Sequence, residues 1–161
     1  MDAAIENYHA IKNHIGQYTK ICCVIKADGY GHGAVELAKL HSELNCDYFA
    51  VSNLDEALEL RDSDIKEPIL ILGYTPANRA EDLARYDISQ AVYGADYAKM
   101  LSDECVKAGV KVKIHVKCDT GMSRLGFMCQ EFPRDEISIK EIKEACELEN
   151  LIPEGIFTHF A

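Results

Sequence analysis

The stretch that decides the fold runs from Ile21 to Gly33 and reads ICCVIKADGYGHG. Its first five residues are all apolar, a run that is too short for an independent helix and too apolar for a strand at the surface. The run therefore predicts a parallel strand that is buried on both faces. Lys26 follows at the carboxyl end of this strand, where α/β proteins place their catalytic groups. We expect the apolar surroundings to make its ammonium form costly, which would leave the amine free to attack a carbonyl group.

Three glycines follow the lysine at alternate positions, Gly29, Gly31 and Gly33. They predict a loop in which the backbone turns freely. Their spacing matches neither the dinucleotide-binding glycine motif nor the phosphate-binding loop, so nucleotide binding is not favoured. For Lys26 alone, the plain alternative is a side chain that extends from a strand end into solvent. The local pattern leaves both interpretations open.

The rest of the chain alternates between predicted helices and predicted strands. Beyond the first strand, the strands are expected at residues 48–51, 69–72, 88–93, 110–117 and 155–159. The helices are expected at residues 4–15, 32–44, 54–58, 75–86, the segment ending at 109, and around 138–141. Unbroken alternation predicts a parallel sheet with right-handed crossovers. An open flavodoxin-like sheet and a TIM-type barrel give the same pattern.

Side chains that accept hydrogen bonds from free backbone amides mark where three of these helices should begin. Either Ser52 or Asn53 can cap the third helix. Thr75, followed by a proline, predicts the start of the fourth. Ser138 with Glu141 has the spacing of a capping box.

The fifth predicted strand separates apolar from polar side chains. One face carries Val110, Val112, Ile114 and Val116, and the other carries Lys111, Lys113, His115 and Lys117. A half-exposed strand explains this pattern simply. Within a closed barrel the polar set would instead face the interior, where an unpaired charge is costly. Lys117 would then need a partner, and Arg124 cannot serve while both are cations.

Composition excludes several classes of function. The formal net charge of −10 disfavours a nucleic acid or an anionic membrane as partner. The seven cysteines form no C-x-x-C pair, which indicates reduced thiols in a cytoplasmic protein rather than a disulfide framework. The six histidines form no cluster with metal-ligand spacing, so we expect no metal. No signal peptide and no apolar run of bilayer length is found, so we expect no membrane contact from this segment.

Three motifs carry a family resemblance. They are KADGYGHG at 26–33, HVKCDTGMSRLG at 115–126 and GIFTHFA at 155–161. In this order they resemble the signatures of the alanine racemases, which carry pyridoxal 5'-phosphate on a TIM-type (β/α)₈ barrel. Such a barrel needs roughly 250 residues. The resemblance therefore implies that residues 1–161 are a partial N-terminal barrel domain with about six of the eight β/α units, lacking the C-terminal β domain.

The resemblance also implies roles for five residues. The lysine matching Lys26 holds the cofactor as an internal aldimine and is one of two acid–base groups. Tyr30 matches a tyrosine near the cofactor phosphate, and His159 matches a histidine against the pyridine ring. Arg124 matches the arginine that reaches the cofactor's phenolic oxygen and the substrate carboxylate. Lys117 matches a lysine that is carbamylated in many members, which would let it pair with Arg124. Without the motifs, a packed loop tyrosine, a surface arginine and a core histidine explain Tyr30, Arg124 and His159.

The implied function is interconversion of L-alanine and D-alanine by two-base proton transfer, supplying D-alanine for peptidoglycan. The resemblance implies a homodimer in which the partner subunit contributes the second base, a tyrosine outside this chain. We therefore expect the chain alone to be inactive. A serine or broad-specificity racemase, or a non-catalytic pyridoxal-phosphate-binding protein of the same fold, shares many of these features. An unrelated flavodoxin-like binding module is a further alternative.

Overall fold

The computed structural model describes residues 2–130 and 135–161. The chain divides into two units, Met1–Gly73 and Tyr74–Ala161. Each unit combines parallel strands with helices that connect them. No helix in the described ranges is long and apolar enough to cross a bilayer.

The first unit contains three parallel strands. Its elements in chain order are α1 Asp2–Ile15, β1 Cys22–Val24, α2 Lys26–Gly31, α3 Ala34–Glu43, β2 Tyr48–Val51, α4 Leu54–Asp62 and β3 Ile69–Ile71. The strands lie in the order β1-β2-β3, with Cys23, Phe49 and Ile69 in register. Phe49 and Ile69 are fully buried, and Leu60 of α4 is buried as well. The core of this unit therefore lies along β2 and β3.

The second unit is organised around its longest central strand. Its elements are the 3₁₀ helix η1 Ala77–Arg79, α5 Ala80–Arg85, β4 Ile88–Val92, α6 Ala95–Ala108, β5 Val112–Asp119, β6 Phe127–Met128, α7 Glu136–Cys146 and β7 Leu151–Thr158. β5 pairs in parallel with β4, with β7 and, at its carboxyl end, with β6. The register of β5 with β7 shifts between Ile114 and His115, so that His115 lies opposite Gly155.

Several predicted boundaries are confirmed. α1 ends at Ile15 before Gly16, whose φ of 77° only glycine adopts at low cost. α6 likewise ends before Gly109 at a φ of 66°. Asn53 caps α4, because its side chain accepts a hydrogen bond from the amide of Glu56 at 3.0 Å.

The prediction that the first strand is buried on both faces is wrong. Cys22 is exposed, Cys23 is half-buried and Val24 is 42% exposed. Only Ile25, directly after the strand, is buried. The reason is topological: among the described strands β1 pairs only with β2 and forms one end of the strand order. As an edge strand, β1 is less covered than β2 and β3, whose residues are almost all buried.

Two predicted helix starts are also wrong. The hydroxyl of Thr75 is buried and caps nothing among the described residues, and a 3₁₀ helix precedes α5. The cap of α7 is Asp135, whose carboxylate accepts from the amide of Ser138 at 3.0 Å. Ser138 therefore lies inside the helix rather than at its cap.

Three other elements differ from prediction. α3 begins at Ala34 rather than at residue 32, because the glycine-rich stretch before it is itself ordered. β7 begins at Leu151, four positions before the predicted strand, since the pairing with β5 extends over Pro153. The two-residue β6 has no counterpart in the predicted alternation. It is too short to show a periodic pattern.

Candidate active site

Lys26 begins a tight turn at the carboxyl end of β1. The residue before it, Ile25, is buried and directly follows the strand. Its amide donates to the carbonyl of Ala50 at 3.0 Å. Lys26 itself is half-buried. The strand therefore fixes the start of the lysine side chain while leaving part of it accessible.

The segment after Lys26 is a left-handed turn rather than a free loop. Ala27, Asp28, Gly29 and Tyr30 all have φ between 51° and 59° and ψ between 36° and 52°. For residues other than glycine this conformation costs about 1–2 kcal/mol each. Three of the four residues carry a side chain, so the turn persists only because its surroundings hold it.

The backbone and Asp28 provide part of that support. The amide of Gly29 donates to the carbonyl of Ile25 at 2.9 Å, and the amide of Gly33 donates to the carbonyl of Asp28 at 3.0 Å. The Asp28 carboxylate accepts from the amide of Ala34 at 2.9 Å, which caps the first turn of α3. A Cβ on Gly29 would lie 2.8 Å from a terminal methyl group of Leu37, which would have to move.

Glu56 of α4 provides the remaining support. Its Oε1 accepts from the amide of Ala27 at 2.8 Å, and its Oε2 accepts from the amide of Ser52 at 2.7 Å. One carboxylate therefore joins the peptide that follows Lys26 to the loop that follows β2. Hydrogen bonds to a charged acceptor are stronger than those between neutral groups.

Tyr30 ends the left-handed turn with its side chain in solvent. The residue is 61% exposed. A packed loop tyrosine is therefore excluded, and the phenol is accessible from outside the first unit.

In the second unit, Asp119 organises the loop after β5. Its Oδ1 accepts from the amides of Gly121 at 3.1 Å and Ser123 at 2.9 Å. These backbone hydrogen bonds lower the pKa of the Asp119 carboxyl group. Arg124 follows directly and is exposed. The turn around Asp119 thus fixes the backbone position from which the Arg124 side chain extends.

Two further contacts hold this loop at the ends of the strands. The hydroxyl groups of Thr120 and Thr158 lie 2.6 Å apart, which joins the loop to the end of β7. Gly126 has a φ of 142°, and a Cβ there would lie 2.5 Å from the Asp119 amide nitrogen. The chain therefore returns against the backbone of β5 at a distance that only glycine permits. His159 follows Thr158 and is exposed, so it is not a core histidine.

Lys117 lies on β5 and is only 5% exposed. It is in register with Phe157 of β7, and its Nζ lies 5.8 Å from the centroid of the Phe157 ring. That distance is within the range of a cation–π contact for an ammonium group.

The polar face of β5 is confirmed, and its partners are acidic residues that the sequence did not single out. Lys113 forms ion pairs with Asp87 at 2.8 Å and with Glu154 at 3.7 Å. His115 lies 3.8 Å from Glu154, which also accepts a hydrogen bond from Ser89 at 2.9 Å. Burial lowers the pKa of His115, and the negative charge of Glu154 opposes that shift. Lys113 and His115 therefore have acidic partners and are not simply solvated.

The five residues singled out from the sequence fall into both units. Lys26 and Tyr30 lie at the two ends of one left-handed turn in the first unit. In the second unit, Lys117 lies within β5 near its carboxyl end, Arg124 lies beyond the end of β5, and His159 lies beyond the end of β7. Arg124 makes no hydrogen bond or ion pair with any residue in the ranges 2–130 and 135–161, so no described contact joins it to Lys117.

Sequence reasoning missed the residues that support this set. The spacing Asn53-x-x-Glu56, which is that of a capping box, is a signal from which Glu56 could have been found. Asp119 before Thr-Gly is typical of a turn in which the aspartate accepts from later amides. Asp28 also supports the turn, and aspartate tolerates the left-handed conformation better than most residues. Nothing in the sequence indicated Glu154, since its role depends on the register shift between β5 and β7.

Together these features define the class of protein. It is an α/β protein of parallel strands, with an amine, a guanidinium and an imidazole group placed just beyond the ends of strands. In parallel α/β folds that is where the chemistry takes place.

Comparison with known proteins gives the family. The family model for the alanine racemase N-terminal domain matches residues 1–161, and the chain belongs to that family. It is 44% identical over its whole length to alanine racemase 1 of Caldanaerobacter subterraneus subsp. tengcongensis, and 44% identical to the alanine racemase of Clostridium perfringens strain SM101. It spans about 40% of the length of each of these curated relatives.

Solved structures agree on the fold. The alanine racemase of Clostridium difficile 630 superposes with a TM-score of 0.92 over 100% of this chain and 41% of its own, at 44% identity. A histidine racemase from Leuconostoc mesenteroides subsp. sake gives a TM-score of 0.83 over 99% of this chain and 41% of its own, at 30% identity. The predicted TIM-type barrel class is thus confirmed over the open flavodoxin-like sheet.

Proposed function

We propose that this chain is part of a pyridoxal-phosphate-dependent racemase that interconverts L-alanine and D-alanine. The observation that carries the proposal is the left-handed turn, which holds a half-buried lysine at one end and an exposed tyrosine at the other. A backbone held in so costly a conformation is typical of functional sites. The family to which the chain belongs supplies the reaction.

The donor groups of the chain suit this cofactor. An aldehyde requires a primary amine, which Lys26 provides from a fixed point on the backbone. A phosphate group accepts hydrogen bonds, and the phenol of Tyr30 is exposed and available to donate one. An anionic oxygen favours a planar cation, which the exposed Arg124 provides.

Four residues of the chain would each have a separate role in the reaction. Lys26 would hold the cofactor through its primary amine, and its Nζ would move the proton of the substrate α-carbon on one face. Arg124 would bind the substrate carboxylate and the phenolic oxygen of the cofactor, and Lys117, as a carbamate, would pair with it. His159 would help to hold the cofactor ring. When bound, the cofactor supplies an electron-poor ring that stabilises negative charge at the α-carbon.

The wider setting follows from the same proposal. The enzyme acts in the cytoplasm as a homodimer, and the partner subunit contributes the base on the second face. Its product enters peptidoglycan. A racemase for serine, or one of broad specificity, is the second candidate, because a structure named histidine racemase shares this fold. A non-catalytic protein that binds pyridoxal phosphate through the same lysine is the third.

Deuterium exchange tests the proposal and separates the candidates. The full protein that contains this chain is incubated with pyridoxal phosphate and one L-amino acid at a time in D₂O. We expect L-alanine to exchange its α-proton and to form D-alanine, and Lys26→Ala to abolish both. Lys39→Ala, which removes an exposed lysine of α3, is the matched control and should retain activity. Faster exchange with serine would favour the second candidate, and cofactor binding without any exchange would favour the third.

A further inference from the structure

Two segments that carry proposed cofactor contacts begin side by side in the second unit. β5 and β7 pair in parallel as far as Cys118 and Thr158. Beyond that point the chain after β5 leads to Arg124, and the chain after β7 continues directly into His159. Both of these side chains are exposed. Their relative position therefore depends on what joins the two segments after the last paired residues.

A hydrogen bond between two threonine hydroxyl groups makes such a link. Oγ1 of Thr120 and Oγ1 of Thr158 lie 2.6 Å apart, and either group can donate. Thr120 lies in the loop that carries Arg124, and Thr158 immediately precedes His159. Threonine is branched at Cβ, so its χ1 angle has few alternatives and its hydroxyl group keeps its direction. The pair thus joins the Arg124 loop to the residue before His159.

The residue before Arg124 shows that this loop is held in place by its contacts. Ser123 has a φ of 56°, a left-handed conformation that is costly for a residue with a side chain. Its amide donates to Oδ1 of Asp119 at 2.9 Å, and its hydroxyl group accepts from Nε2 of Gln130 at 3.2 Å. Such a conformation persists only where its surroundings impose it. The backbone position of Arg124 therefore depends on the contacts of its neighbours.

The threonine pair and the other contacts of the loop hold it to different strands. Asp119 is the last residue of β5, and Gln130 lies two positions after β6. Their contacts hold the loop to the two strands that it connects. The hydrogen bond between Thr120 and Thr158 instead joins it to the end of β7. Removal of this hydrogen bond should therefore leave the loop folded but free to shift relative to His159.

We propose that Thr120 and Thr158 are positioning residues that hold the Arg124 loop in a fixed place relative to His159. The proposal rests on the proposed function, in which Arg124 would bind the substrate carboxylate and His159 would help to hold the cofactor ring. Groups that are already in place lose less conformational entropy on binding, so their ligands bind more tightly. Neither hydroxyl group needs to touch substrate or cofactor for this effect.

Hydrogen exchange tests the link on the full protein that contains this chain, without cofactor. Thr158→Val keeps a branched side chain of similar size and removes the hydroxyl group. We expect the amides of residues 120–124 to exchange several-fold faster in this variant, and Thr158→Ser to restore the wild-type rate.

A double-mutant cycle shows whether the two hydroxyl groups act through each other. Thr120→Val and the double variant should both match Thr158→Val, because removal of either partner already removes the one hydrogen bond. Thr19→Val, at an exposed position of the first unit, is the control for the substitution itself. Unchanged exchange in Thr158→Val, or additive effects of the two single variants, would overturn the proposal.

Steady-state kinetics of the holoenzyme with L-alanine test the positioning role. We expect Thr158→Val to raise KM about three-fold, the scale of one neutral hydrogen bond that water can reach. The value of kcat should change much less, because the loss falls on substrate binding, and Thr158→Ser should restore KM. Faster exchange in Thr158→Val with an unchanged KM, or a loss confined to kcat, would overturn the positioning role. A wild-type protein that racemises no amino acid would refute the proposed function and this role with it, while the exchange rates would still decide whether the hydroxyl groups join the two segments.

Discussion

Removal of the Glu56 carboxylate should loosen the turn that presents Lys26. This one side chain accepts from the Ala27 amide at 2.8 Å and from the Ser52 amide at 2.7 Å. Both donors are backbone groups in loops that follow parallel strands. Alanine at position 56 would leave both amides without this acceptor.

The magnitude follows from the surroundings of each hydrogen bond. A hydrogen bond to a charged group contributes about 1.5–3 kcal/mol when its donor is shielded from water. The Ser52 contact is partly buried and should contribute near the lower end of that range. The Ala27 contact is exposed, so water replaces the carboxylate and the loss is smaller. We expect Glu56→Ala to lower the free energy of unfolding by about 2–3 kcal/mol in total.

Urea unfolding followed by circular dichroism measures this difference. Asp55→Ala is the matched control, because it removes a neighbouring exposed carboxylate of the same helical turn. It should cost about 0.5 kcal/mol, the usual contribution of an acidic group near a helix N-terminus. Glu56→Gln keeps one acceptor oxygen and should fall between the two. Equal losses for Glu56→Ala and Asp55→Ala would refute the assignment, as would an unchanged rate of hydrogen exchange at the Ala27 amide.

Three further predictions concern the second unit. Gly126→Ala should lower the free energy of unfolding by about 2 kcal/mol or more, because its Cβ would meet the Asp119 amide at 2.5 Å. Thermal melts measure this loss, and Gly94→Ala is the control, because a Cβ there would have no atom within 4 Å. Because backbone hydrogen bonds lower the pKa of Asp119, its contribution is present above the ordinary carboxyl pKa and is lost as the pH falls through the lowered value. Asp119→Asn should therefore lose less stability than the wild type between neutral and strongly acidic pH, and an equal acid-dependent loss would contradict this. Intact-mass measurement in bicarbonate should detect one added CO₂ that is absent from Lys117→Met, and a plain lysine at neutral pH would contradict carbamylation.

The sequence predicted the class of fold because the strands of the core are short apolar runs bounded by glycine, asparagine and proline. Phe49 and Ile69 lie in such runs, and both are fully buried. It failed at the first strand because burial depends on which strands lie beside it. Val24 is as apolar as its neighbours, yet it lies on an edge strand and is 42% exposed.

The candidate site likewise has features that the sequence predicts and features that only the structure shows. Lys26 could be located from the sequence because an apolar run and a glycine-rich motif flank it. The left-handed turn could not, because Ala27 and Tyr30 have no preference for that conformation and adopt it under the constraint of distant partners. Glu56 is 29 positions away from Ala27, and no local pattern encodes a contact over that separation. Long-range contacts of this kind are what the structure adds.

Reduction of the cofactor adduct tests the central claim most directly. The purified chain is mixed with one equivalent of pyridoxal phosphate, reduced with borohydride and digested, and the labelled lysines are identified by mass spectrometry. We expect the label to concentrate on Lys26, and we expect Glu56→Ala to slow its incorporation while Asp55→Ala does not. Label spread evenly over exposed lysines such as Lys20 and Lys66, with no excess at Lys26, would contradict it.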